Sequence, residues 1–196
     1  SNPAGGKDPS GIYSGMLNIM TQAVGKASID IVSSLAVVLG LQGSPDVAEV
    51  ADVDVYLGTT DGGVFTAEYS FEGNTCTRVE GESSFSTDIS LGNIAVKNYD
   101  IVIKAPKYLS RKKENISIPE TSTVDYTASA DNLLVGDYSG DDRVWDEDIA
   151  VLMDTYGNSD PAAIEAGDLN GDGWVGGPDV GGFIANFGKS GPLYVE

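Results

Sequence analysis

Asp137-Tyr138-Ser139-Gly140-Asp141-Asp142-Arg143-Val144-Trp145-Asp146-Glu147-Asp148 and Asp168-Leu169-Asn170-Gly171-Asp172-Gly173-Trp174-Val175-Gly176-Gly177-Pro178-Asp179 set oxygen-bearing side chains at matching offsets, twice, in a chain of 196 residues. Ca²⁺ is a hard cation that takes about six to eight oxygens. A twelve-residue loop supplies them from positions 1, 3, 5, 7 through its carbonyl, 9 often through water, and 12. By that rule the first loop offers the side chains of Asp137, Ser139, Asp141 and Asp148 and the carbonyl of Arg143. The second offers Asp168, Asn170, Asp172 and Asp179 and the carbonyl of Trp174. Two Ca²⁺ sites are expected, and they should differ in strength. Position 6 needs a positive φ, which Gly173 adopts freely and Asp142 only with strain, and the hydroxyl of Ser139 is a weaker donor than the amide oxygen of Asn170. The second loop is therefore expected to bind more tightly. Val144 and Val175 fill position 8, where two paired loops can meet as a short β-bridge.

Each loop runs into an apolar stripe of helical period. Ile149, Leu152, Met153 and Tyr156 fall at i, i+3, i+4 and i+7, and Val180, Phe183, Ile184 and Phe187 repeat the spacing, with Gly157 and Gly188 as stops. The two stripes are expected to pack antiparallel and build a small core. Leu133-Leu134-Val135-Gly136 leaves no room for a helix entering the first loop, and residues 161–166 supply only a brief one before the second. The pattern thus differs from that of a paired-helix calcium sensor.

The opening Gly-Asp-x-(Ser/Asn)-Gly-Asp, at residues 136–141 and again at 167–172, completes the motif. With its duplicated loop-helix units, the segment 133–188 resembles a dockerin module. The resemblance implies a secreted, non-catalytic module that folds only with calcium and docks onto a cohesin-type β-sandwich. It also implies that positions 10 and 11 of each loop, with the exposed helix face, carry partner recognition. Here these are Asp146 and Glu147 in one copy and Gly177 and Pro178 in the other. Because the copies present unlike residues, one preferred binding face is expected. Asp142 and Ser139 depart from the family's pattern.

Before the loops the pattern changes to short β-branched and aromatic runs at 28–32, 35–39, 51–57, 63–71, 75–79, 84–89, 99–104, 115–118 and 124–126. Asp52-Val53-Asp54-Val55-Tyr56-Leu57 and Tyr99-Asp100-Ile101-Val102-Ile103-Lys104 alternate as half-buried antiparallel strands do. Residues 24–41 are apolar enough for a helix, but Ile29, Ile31, Val32, Val37 and Val38 favour strand. Residues 98–118 resemble the closing strands of carboxypeptidase-regulatory-like sandwich domains. The expected architecture is an all-β sandwich followed by a small α-helical dockerin-like module with two calcium loops. Its parts are an N-terminal extension at 1–26, a sandwich at 27–130 and the module at 131–196. With no long Gly/Pro/Ser linker before Leu133, sandwich and module are expected to pack as a rigid unit. Within the polar extension, residues 12–20 form a candidate donor or edge strand for this sheet or a neighbour's.

The net charge of −19 argues against nucleic acid and anionic membrane as partners. After Asp131 the acids have only Arg143 for company before Lys189, and two Ca²⁺ ions would offset four negative charges. Six of the eleven basic residues lie within 97–113, read as a solvated strand or as an electrostatic contact with the acidic module of this chain or of another copy. The single Cys76 excludes an intramolecular disulfide and reads as a buried strand residue or an intermolecular bridge. Asn115-Ile116-Ser117 is a glycosylation sequon. No apolar run is long enough to span a bilayer and no signal-peptide pattern opens the chain, which begins with Ser1 and reads as a mature or tagged form. Weak oxygen-ligand sites suit millimolar calcium outside the cell or at its surface. The absence of histidine removes the usual catalytic base, so an enzyme is not expected. Two functions stand: docking onto a cohesin-like β-sandwich protein, or, alternatively, a subunit of a calcium-stabilised surface filament whose partners are other copies of itself.

Overall fold

Alternating burial along the strands decides the architecture. The computed structural model describes residues 33–43, 45–118 and 121–194, and Ser33–Glu196 belong to one compact unit. The readings at 28–32 and 12–20 lie outside the described residues. Among the described residues, eight strands precede the loops: β1 (Ser33–Gly40), β2 (Glu49–Asp61), β3 (Val64–Arg78), β4 (Ser84–Gly92), β5 (Lys97–Lys104), β6 (Lys107–Tyr108), β7 (Arg111–Ile118) and β8 (Thr123–Tyr126). Seven of them hydrogen-bond in the order β7-β5-β2-β3-β4-β1-β8. Neighbours are antiparallel except β1 and β8, which run parallel.

The sheet folds over on itself. β3 meets β4 at only Thr77↔Ser86 and Arg78↔Phe85, and there the layer β7-β5-β2-β3 passes into the layer β4-β1-β8. Leu35, Val37 and Leu39 of β1, Val53, Val55 and Leu57 of β2, Phe85 of β4 and Ile101 and Ile103 of β5 are fully buried in one shared core. Tyr126 of β8 donates its hydroxyl to the carbonyl of Ile101 in β5 at 2.7 Å, although the two strands lie far apart in sheet order. The observed class is a β-sandwich with, among the described residues, three short helices.

The sequence readings at 63–71 and 75–79 are one continuous strand. Gly73 (φ +69) faces a stretch of β2 where Asp52 also has a positive φ (+54), and the register shifts on both sides of Val53. Gly73-Asn74 marks a bulge there rather than a turn, held by Gly73 N donating to Asp54 Oδ1 at 2.9 Å. The true turn is Gly62-Gly63, both with positive φ, closing the β2–β3 hairpin.

A ninth strand, β9 (Val135–Asp137), pairs with β6 and delivers the chain into the first loop. Helices α1 (Asp146–Thr155), α2 (Pro161–Gly167) and α3 (Gly177–Asn186) follow. Asp160 caps α2 by accepting from Ala163 N at 3.0 Å, with Pro161 at the first turn. Gly157 (φ +77) and Gly188 (φ +85) end α1 and α3. A second, smaller core gathers Leu109, Val144, Leu152, Ala163, Val175 and Phe183.

The two helical stripes do not bury against each other as expected. Leu152 and Phe183 are buried, but Ile149, Met153, Tyr156, Ile184 and Phe187 stay exposed. The units interlock through their loops instead. Val144 bonds Lys189 and Gly188 (Val144 N to O 2.9 Å; Gly188 N to Val144 O 2.9 Å), beyond α3. Val175 bonds Asn158 and Gly157 beyond α1 (3.1 and 2.9 Å). Each position 8 thus pairs with the turn that ends the other unit's helix, not with its counterpart Val.

Candidate functional site

Both loops are closed by hydrogen bonds onto their first and last carboxylates. In the first, Asp137 accepts from Gly140 N at 2.7 Å and Asp142 N at 3.0 Å, and Asp148 from Ser139 N and Trp145 N, each at 2.8 Å. In the second, Asp168 accepts from Gly171 N at 2.7 Å and Gly173 N at 2.8 Å, and Asp179 from Leu169 N at 2.8 Å and Gly176 N at 2.7 Å. These four acids are buried. Position 5 is exposed in both: Asp141 accepts from Arg143 N at 3.0 Å and Asp172 from Trp174 N at 2.9 Å. Ser139 donates its hydroxyl to Asp141 at 3.2 Å, and Asn170 its amide to Asp172 at 3.0 Å. Within each loop these bonds link Ser139 to Asp141 and to Asp148, and Asn170 to Asp172. Among the described residues no three Asp, Glu, His or Cys side chains stand together as a ready-made metal cluster. The side chains expected to bind metal offer only hard oxygens, which suit Ca²⁺, and the carboxylates are held by amide N–H groups.

Position 6 behaves as its residues dictate. Gly173 has φ +81 and Asp142 φ +66. The reason for Asp142 is tertiary: its buried carboxylate accepts from Ser110 N at 2.6 Å, Ser110 Oγ at 2.5 Å and Leu193 N at 2.9 Å. Lys104 of β5 joins it, contacting Asp137 Oδ2, with Tyr108 O at 2.6 Å and Asp142 Oδ1 at 3.3 Å. Burial pushes the Asp137 carboxyl above its ordinary range, opposed by Lys104 and by the Gly140 N–H. Under the second loop, Lys107 donates to the carbonyls of Asp168 (3.0 Å) and Ile164 (3.4 Å), and burial lowers its pKa.

The basic segment is therefore spent within the chain. Lys113 pairs with Asp131, Lys112 with Glu114 and Lys97 with Glu68, while Arg111 donates to Asn132 O at 2.9 Å. Its acidic neighbour includes this chain's own first loop. For Lys104 and Lys107 the reading of 97–113 as an electrostatic contact with the acidic module of this chain applies, without singling them out, whereas Ser110 has no motif to announce it and its part in the first loop was missed. Also missed were Gln42 and Asn186, which tie the turn after β1 to α3 through a 2.6 Å bond.

Asp146, Glu147, Gly177 and Pro178 are exposed at the first turns of α1 and α3. Beside them lies an apolar face. Trp145 stacks on Phe187 (centroids 5.1 Å, interplanar angle 8°), and Phe187 meets Phe183 edge-on at 5.6 Å. Arg143 lies between the rings of Trp145 (5.2 Å) and Tyr194 (4.6 Å). Asn115 is exposed, and Cys76 is fully buried. No described helix is long and apolar enough to cross a membrane.

No protein-family model matches the chain, and no curated protein does. Solved structures share its fold. One is a chain from the crystal structure of an N-terminal interface mutant of the type II cohesin–X–dockerin complex of Acetivibrio cellulolyticus: TM-score 0.50, 20% identity, covering 82% of this chain and 99% of that one. Another comes from a C-terminal interface mutant of the type II complex from the same organism: TM-score 0.52, 21% identity, covering 83% and 99%. At such identity the likeness is one of fold.

Proposed function

We propose that this chain is an extracellular, non-catalytic docking unit that binds two Ca²⁺ ions and attaches to a cohesin-type β-sandwich through the outer faces of α1 and α3. The observation that carries the reading is the apolar face. Met153 is 72% exposed, Ile184 65% and Tyr156 56%, on the two helices that follow the two loops. Large apolar side chains left exposed after folding suit an interaction site, and aromatic and Met residues have an interface composition. The fold likeness supports the choice of partner. Residues 1–126 make up less than two thirds of the chain, so a match covering 82% extends into the loop-helix units, and both neighbours come from cohesin–X–dockerin complexes. In this reading Asp137, Ser139, Asp141, Asp148 and the carbonyl of Arg143 hold one ion, and Asp168, Asn170, Asp172, Asp179 and the carbonyl of Trp174 the other.

Calorimetric titration with a type II cohesin in millimolar calcium tests it. Binding should vanish with chelator and weaken about a hundredfold in Met153→Asp or Ile184→Asp. Both side chains are exposed enough that stability should change by no more than about 0.5 kcal/mol. Binding that survives chelation and both substitutions would overturn the reading. Growth into large assemblies on adding calcium alone would make other copies of this chain the partner.

A further inference from the structure

The first loop carries six carboxylates, Asp137, Asp141, Asp142, Asp146, Glu147 and Asp148, against three in the second, Asp168, Asp172 and Asp179. It also has an ammonium bonded directly to its carboxylates, whereas Lys107, beneath the second loop, donates to the carbonyls of Asp168 and Ile164. Lys104 Nζ touches Asp137 Oδ2, lies 3.3 Å from Asp142 Oδ1 and is anchored by Tyr108 O, with its side chain only 14% exposed. Among the described residues no ion pair reaches the carboxylates of the second loop, which are met only by amide groups of that loop.

We infer that Lys104 is a tethered counter-ion that holds the first loop closed without calcium, leaving the second loop as the calcium-responsive half of the module. The inference rests on the calcium-loop reading above. Buried carboxylates repel one another and lose hydration, and a nearby cation relieves both penalties whether it is a metal or an ammonium. The ammonium is built into β5 and is present at every calcium concentration. The bonds from Ser110 and Leu193 to Asp142 fasten the first loop to the sandwich and to the C-terminal segment, also without metal. Nothing equivalent grips Gly173, which has no side chain. The sandwich thus pairs an ammonium directly with the carboxylates of the first loop, whereas under the second its Lys107 bonds only backbone carbonyls.

Amide hydrogen exchange on the full chain, in calcium and in chelator, tests this directly. In chelator the amides of Gly140, Asp142 and Trp145 should stay protected while those of Gly171, Gly173 and Gly176 lose protection. Lys104→Met should remove protection of the first set in chelator by on the order of a hundredfold, as expected when one partner of a buried ion pair is lost. Calcium should restore it, and Lys104→Arg should keep it. Simultaneous loss in both wild-type loops, or retained protection in Lys104→Met with chelator, would overturn the inference and leave the calcium reading standing. If neither wild-type loop responds to calcium, the calcium reading itself fails. Should Lys104→Met not fold even in calcium, the wild-type comparison and Lys104→Arg decide.

Discussion

Ser110 grips Asp142 with both of its donors, the amide at 2.6 Å on Oδ1 and the hydroxyl at 2.5 Å on Oδ2, so the sandwich holds position 6 of the first loop directly. Both residues are buried. The left-handed backbone of Asp142 (φ +66) costs about 1–3 kcal/mol, which the clamp offsets. Asp142→Ala keeps that strain, strands the donors of Ser110 and leaves Lys104 with one carboxylate fewer. A loss of about 3–5 kcal/mol is expected, read from urea unfolding in calcium. A loss below about 1 kcal/mol would show that the clamp fastens nothing.

Asp179 is fully buried, closes the second loop through Leu169 N and Gly176 N, and sits in the first turn of α3. Calorimetry with calcium should resolve two events of unequal affinity. Asp179→Ala should remove the tighter and keep the weaker. One event in the unaltered chain would contradict the two-site proposal.

Tyr126 fastens the two layers of the sandwich through its bond to Ile101 O. Tyr126→Phe keeps the ring and removes the donor. Stability should fall by about 1–2 kcal/mol, as a lower urea midpoint at unchanged slope.

Burial pushes the Cys76 thiol from 9.0 up to about 12. The neutral thiol is the form the fold prefers, so its contribution to stability is complete below pH 9 and is lost as pH rises from there toward 12. At pH 8 thiol reagents should label Cys76 only at the rate of unfolding. Fast labelling of the native chain would refute this, and it is what an intermolecular bridge through Cys76 would require.

Much of this was legible because it is local. A loop that turns on its own carboxylates needs only the right residues at fixed offsets, which is why Asp137, Asp148, Asp168 and Asp179 fall where the motif puts them. Alternation in β2 and β5 announced the strands, since one face of each had to be apolar. Gly73-Asn74 misled because the residues of a bulge are those of a turn, and only the partner strand separates the two. The stripes of α1 and α3 misled for a related reason: periodicity shows that a face is apolar, not what covers it.

Sequence alone determined the duplicated oxygen-rich loops, the helices after them and the strand-built remainder, since each follows from residues within a dozen positions of one another. Tertiary structure decided the rest. It set Lys104 and Ser110 against Asp142 across more than thirty residues of chain, crossed the loop bridges, and left Met153 and Ile184 facing outward. Charge compensation and burial act between groups that meet only once the sandwich has closed, and no local spacing records that meeting.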